Sequence, residues 1–200
     1  MRRATVAAGV AALIAAMSGC GFPVESRDEA LAFNPDALPG CVPQGSNFNG
    51  TVVLMAQAVP TASLLPCVRG LPVGWNLAGL DISDGRAEFW FNSDREGNRA
   101  LTIQLTESCA MGPATRIPST RTEVQRWESV TRVTDGYGGL RYFVYDGGCT
   151  TYTFDLHGES RAQPLAALSA AFDFVDRDEV AQQVEEWSDG KVQLDPATTR

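Results

Sequence analysis

Lysine and histidine are almost missing from this chain of 200 residues. Lys191 stands alone against 15 arginines, and His157 is the one histidine. Cys20 set aside, the four scattered thiols of Cys41, Cys67, Cys109 and Cys149 and the one His lack the ligand spacing of a zinc site. There is also no Gly-x-Ser-x-Gly to supply a serine nucleophile for that single base. Cysteine never occurs as Cys-x-x-Cys. Basic residues are outnumbered 16 to 24, a net charge of −8. Such a surface is repelled by nucleic acid and by anionic lipid headgroups, which excludes nucleic acid as a partner. Long apolar runs are absent as well. The best, from Ala4 to Met17, falls short of the roughly 20 residues a transmembrane helix needs.

What is present describes a folded domain. A hydrophobic fraction of 44% and a charged fraction of 20% are globular values, not those of a disordered chain. The preference for Arg over Lys points to a GC-rich genome, as in a high-GC Gram-positive host.

The N-terminus joins Arg2 and Arg3 to an Ala-rich apolar run and then to Met17-Ser18-Gly19-Cys20. Basic start, apolar middle and small residues are the order of a secretory signal. The last four residues resemble the lipobox of bacterial lipoproteins, with Met17 in place of the commoner Leu. That resemblance implies cleavage between Gly19 and Cys20 and a thioether-linked diacylglycerol on Cys20. Further acylation, of the palmitate kind, would complete an anchor at the extracytoplasmic face of the cell membrane. Two or three chains hold stably where one holds marginally, at about 0.8 kcal/mol per buried methylene. Removing residues 1–19 takes both Arg2 and Arg3 from the 16 basic residues. The mature 181 residues then carry 14 basic and 24 acidic groups, a net charge of −10.

Residues 20–40 read as the lipidated N-terminus and a flexible tether, broken by Pro23, Pro35, Pro39 and Gly40. Residues 41–200 read as a single extracytoplasmic domain. Cys41, Cys67, Cys109 and Cys149 are an even set in an oxidising compartment, which predicts two disulfides. Three connectivities are open. Cys41–Cys67 with Cys109–Cys149 is preferred because each pair closes a local segment.

Within the domain, Thr51 to Val59 reads as a buried strand. Arg86 to Asn92 alternates, with Ala87, Phe89 and Phe91 on one side and Arg86, Glu88 and Trp90 on the other. Ala100 to Thr106 alternates in the same way, and Ser93 to Asn98 joins the two as a hairpin loop. Thr122 to Val133 is expected as a long strand. Leu140 to Tyr145 and Thr150 to Leu156 form a second hairpin about Asp146-Gly147-Gly148. The period then changes. Leu165 to Phe172 is expected as a helix, and Asp176 caps a second, with Glu179 completing a capping box. Val180, Val184 and Trp187 form its apolar face, Gly190 ends it, and Val192 and Leu194 add a short strand. The fold class is α+β: an antiparallel meander of about five to six strands with C-terminal helices packed on one face.

Few residues suggest chemistry. Asp155, His157 and Ser160 are the one approach to a triad, and a surface His at a strand end explains them better. Asn92 to Asn98 imitates half of an EF-hand loop, but Ile103 stands where the twelfth-position Glu is required. Asp173, Asp176 and Asp178 fit helix-start carboxylates. Asp135 to Gly139 fits a hairpin turn. No catalytic residue, cofactor or metal is assigned. Trp90, Trp127, Tyr142 and Tyr145 are candidate ligand-facing aromatics, if both faces of the sheet carry rings.

Leu71-Pro-Val-Gly-Trp75, Gly85 to Trp90, Leu105 to Cys109 and Tyr145 to Phe154 together resemble an actinobacterial extracytoplasmic domain of no assigned activity, often membrane-tethered. The resemblance implies a Cys109–Cys149 pair and carries no catalytic residue. Size and anchor are also similar to the mycobacterial lipid-carrier lipoproteins, on architecture alone. The expected function is a non-enzymatic binding or adaptor module with an envelope protein as partner. The alternative is a carrier or sensor of a hydrophobic ligand such as an envelope lipid. An enzyme acting on envelope glycans or lipids ranks third and would need a carboxylate pair such as Asp155 and Glu159.

Overall fold

The computed structural model describes residues 38–41, 49–158 and 163–197. Gly19 and Cys20 lie outside the described residues, as do Glu159 and Ser160. Leu38, Pro39 and Gly40 of the expected tether are docked, Gly40 bridging to Val68. Val68 donates its N–H to Pro39 at 2.6 Å, Cys41 donates to Val68 at 3.0 Å, and Leu38 packs against the core. Folded structure therefore reaches back at least to Leu38 rather than starting at Cys41.

The first element corrects an expectation. Thr51 to Val59 is not a strand; helix α1 spans Gly50–Ala58. A short apolar run carries no period that separates the two. Asn49 decides the matter locally: its side chain accepts from the Val52 N–H at 3.4 Å and donates to the Leu38 carbonyl at 2.7 Å. One orphan donor of the first turn is thereby satisfied.

Strand β1 (Leu64–Val68) is buried throughout and pairs antiparallel with β9 (Phe172–Asp176). Neither was expected. Pro66 argues against a strand, but in a two-stranded ribbon every strand has a free edge that tolerates a missing donor.

Seven further strands form one antiparallel sheet. They are β2 (Trp75–Ser83), β3 (Arg86–Ser93), β4 (Gly97–Thr106), β5 (Thr115–Ile117), β6 (Gln125–Arg132), β7 (Tyr137–Tyr145) and β8 (Gly148–Leu156). Their order is β2-β3-β4-β8-β7-β6-β5. The antiparallel architecture and both hairpins match the sequence reading; nine strands in two sheets exceed the five or six expected. The sheet is also not a plain meander. Because β4 neighbours β8, residues 107–114 must cross from its centre to its far edge. A disulfide from Cys109 to Cys149 holds the start of that crossing, with Thr106 directly opposite Cys149 in register. The other disulfide, Cys41–Cys67, ties the N-terminal segment to β1. Their Cα separations, 5.6 and 4.8 Å, suit disulfide geometry.

Period-2 alternation sends Phe89 and Phe91 of β3, and Leu101, Ile103 and Leu105 of β4, to one face, each with no exposed surface. Strand β9 closes on it. Phe172 lies 5.3 Å from Phe91, and Phe174 lies 5.4 Å from Phe143 and 5.5 Å from Tyr145, edge-on or tilted. The small ribbon thus anchors the helices to the large sheet.

Helix α2 (Gln163–Ala171) lies where expected, and α3 (Arg177–Trp187) follows β9. Asp176 takes the cap position of α3 with no side-chain cap bond, so the expected capping box with Glu179 is not made. Val180 and Val184 are buried but Trp187 is 63% exposed, so the apolar stripe ends a turn early. Gly190 ends the helix as expected, at φ +73°, its N–H on the Glu185 carbonyl at 2.8 Å. Residues 192–194 form no strand. Buried Arg177 donates to the carbonyls of Ala56 in α1 and Asp195 in the tail, joining α1, α3 and the C-terminal segment. The helical layer therefore includes an N-terminal helix and is not purely C-terminal.

Candidate functional site

Three places gather side chains that could recognise a ligand. The first is the outer face of the large sheet, which carries the second set of alternating residues. Trp90 lies flat on β2, where a Cβ on Gly79 would fall 2.0 Å from its ring. The Arg99 guanidinium covers the ring's other side at 4.4 Å. Arg99 also donates to Glu88 at 2.9 Å, and Gln104 donates to the other oxygen of Glu88 at 3.3 Å. The indole is therefore sandwiched rather than offered as a platform. Further across, Trp127 faces Tyr142, and Tyr142 faces Thr151, whose hydroxyl lies 3.2 Å from the Cys109 sulfur. Tyr142 is buried, and the shielded Trp127 Nε1 meets no partner among the described residues.

Tyr145 departs from the other three ligand-facing candidates. It belongs to the inner face, its hydroxyl 2.8 Å from that of Thr150 and its ring on Phe174. Burial holds its pKa above the usual phenol value, with the Thr150 bond opposing. The aromatics do occupy both faces, but Tyr145 is core, so the four line no common groove.

The second place is the end of the sheet beside the β3–β4 turn. A depression of about 640 Å³ is lined by Val73, Trp75, Arg95, Glu96, Gln163 and Ala167, among others. Gly158 and Gln163 on its rim flank residues 159–162, which are not described. The loop that imitates an EF-hand spends its oxygens internally. Asn92 Oδ1 accepts from the Arg99 N–H at 2.8 Å, Ser93 Oγ from Arg95 and Glu96 at 3.3 Å, and Glu96 from Gly158 at 2.8 Å. It is a polar hairpin tip, as preferred on sequence. His157 is half-exposed at the end of β8, its Nε2 3.4 Å from Asp155, which also pairs with Arg132. Asp135 and Gly136, at φ +54° and +125°, form the β6–β7 turn.

The third place was not foreseen. On the inner face of β6 and β7, Arg141 is 6% exposed. It donates through Nε to Glu128 at 2.7 Å and through a terminal nitrogen to Ser169 of α2 at 2.6 Å. Tyr137 donates to the other Glu128 oxygen at 3.5 Å. Burial, then the Glu128 charge, raises the Tyr137 pKa. Arg126 stands beside this set, half-buried, with no partner among the described residues for its shielded Nε. Burial lowers its pKa, and the Arg141 charge lowers it further while Glu128 opposes. A signal for the place existed: Arg126 and Glu128 fall at inward positions of a strand, where apolar residues belong. Asp173, read as a helix-start carboxylate, is instead a β9 residue paired with Arg69 and Arg121. Burial opposes the charge on Arg121, but Glu123 and Asp173 outweigh it and raise its pKa.

No family model, curated protein or solved structure matches this chain in the three comparisons made.

Proposed function

We propose that the chain is a non-enzymatic binding or adaptor module, held by lipid on Cys20 at the extracytoplasmic face of the membrane. The lipobox-like Met17-Ser18-Gly19-Cys20 supports the anchor, and the two disulfides suit an oxidising compartment. Among the described residues no helix is long and apolar enough to cross a membrane. The observation that carries the binding reading is the packing of the sheet–helix interface. Phe89, Phe91, Phe154, Leu101, Ile103 and Leu168 are each at most 1% exposed, and Phe172 and Phe174 fill the space between layers. Recognition at the surface fits such an interior better than carriage of an acyl chain within it.

The test is fractionation of a related host, followed by native mass spectrometry of the secreted Cys20→Ser form. Wild type is expected in the membrane fraction and Cys20→Ser in the medium. The secreted mass should fall short of the chain mass only by the hydrogens lost to two disulfides. Wild type in the medium overturns the anchor. Added mass that organic solvent removes overturns the adaptor reading in favour of a hydrophobic-ligand carrier.

A further inference from the structure

The described arginines fall into distinct groups. Six of them each meet a carboxylate. Arg177 meets two carbonyls, while Arg95 and Arg116 are exposed to water. Arg126 fits none of these groups. It lies opposite Phe143 of β7 and Ile117 of β5, so its neighbours in register are apolar. Its Nε is shut off from solvent without an acceptor among the described residues. Glu128, two residues along the same face, has both oxygens engaged by Arg141 and Tyr137. A partly desolvated guanidinium without a counterion is costly, and a second guanidinium nearby adds to the cost.

We propose that Arg126, with Arg141 beside it, anchors a surface site for a small ligand bearing one carboxylate or phosphate group. Arg126, Arg141 and Glu128 together leave one positive charge, which a single anionic group neutralises. A guanidinium offers such a group two parallel N–H donors. Phe143 and Ile117, both half-buried, give the ligand's apolar part a surface to rest on. Size follows from charge. The mature chain carries −10, counted from 14 basic and 24 acidic residues, and repels a long polyanion. A small ligand with a single acid group avoids most of that repulsion while keeping the short-range pairing.

This assignment rests on the binding-module reading, and the two fail separately. An extractable adduct removes that reading, whereas the following titration reads Arg126 alone. The ¹⁵N-labelled Cys20→Ser protein is titrated with acetate and, in parallel, with inorganic phosphate, at constant ionic strength set by chloride. The expected result is a saturable shift of the Arg126 Nε–H signal, with the stronger arm identifying carboxylate or phosphate. Arg126→Gln should weaken binding about ten-fold or more, the loss of one charge-assisted pair, judged from the Phe143 and Ile117 amides. A non-saturating drift in both arms, like that of exposed Arg116, overturns the site. So does a saturable response at Phe143 and Ile117 that survives Arg126→Gln.

Discussion

One face of the large sheet has two unlike halves. The row Phe89–Ile103–Tyr152–Arg141–Glu128 runs unbroken across it by register from β3 to β6. At the β3–β4 end the side chains are apolar and without exposed surface. At the β6 end they are Arg126, Glu128 and Val130, with Val130 41% exposed. Alternation assigns all of them to the same side, yet only one half became core. The difference lies in what covers them. The β1–β9 ribbon lays Phe172 on Phe91 and Phe174 on Phe143, whereas α2 reaches Arg141 through Ser169 and meets a polar network there. A strand pattern therefore fixes sides, and the second layer decides which part of a side is closed.

The largest effect should separate these halves directly. Phe91→Ala removes a ring packed on both Phe89 and Phe172 and should cost about 3–5 kcal/mol. Val130→Ala, on the same face, should cost less than about 0.5 kcal/mol. Urea unfolding of the two variants measures both. Similar midpoints for the two would mean that the far half is closed as well, and the contrast would be lost.

The crossing connection comes next. Cys109 and Cys149 are 40 residues apart, and replacing both by Ala should cost roughly 3–4 kcal/mol in the chain-entropy account. Amide exchange under non-reducing conditions sharpens the comparison. It should quicken in β5 and β6, which the connection leads to, more than in β3 and β4. A uniform increase would show that this disulfide stabilises the sheet as one unit.

Parts of this division were legible in the sequence. Strands β3, β4 and β8 alternate cleanly, and Asp146-Gly147 marks the turn between β7 and β8. The Cys pairing followed from local closure. Other parts depend on partners far away in the chain. Strand β9 reads as helix start because Asp173 and Asp176 are acidic; its role comes from β1, about a hundred residues earlier. Thr51 to Val59 is mostly apolar and without a clear period, so its helix rests on Asn49 and its packing on β1. The inward positions of Arg126 and Glu128 were a local signal, but nothing local says that Glu128 is spent on Arg141. Tyr145 looked like a companion of Tyr142, although an offset of three residues, an odd number, puts them on opposite sides.

The last and smallest effect tests where the closed half ends. Tyr152 lies between Ile103 on β4 and Arg141 on β7, at the boundary, and is 2% exposed. Burial raises its pKa and that of Tyr145, with the charge on Tyr145 a further cause at Tyr152. The folded values lie above the unfolded one of about 10, so the unfolded chain sheds these protons first. Stability from both groups is intact below pH 10 and falls above it, by about 1.4 kcal/mol per group for each pH unit. Phenolate absorbance of the two should therefore appear only as the circular dichroism is lost. Tyr152→Phe keeps the ring and removes one ionisation, so the alkaline decline should become shallower by that amount. If the decline is unchanged and one phenol ionises in the folded protein, water reaches Tyr152. The closed half then ends between β4 and β8 rather than between β8 and β7.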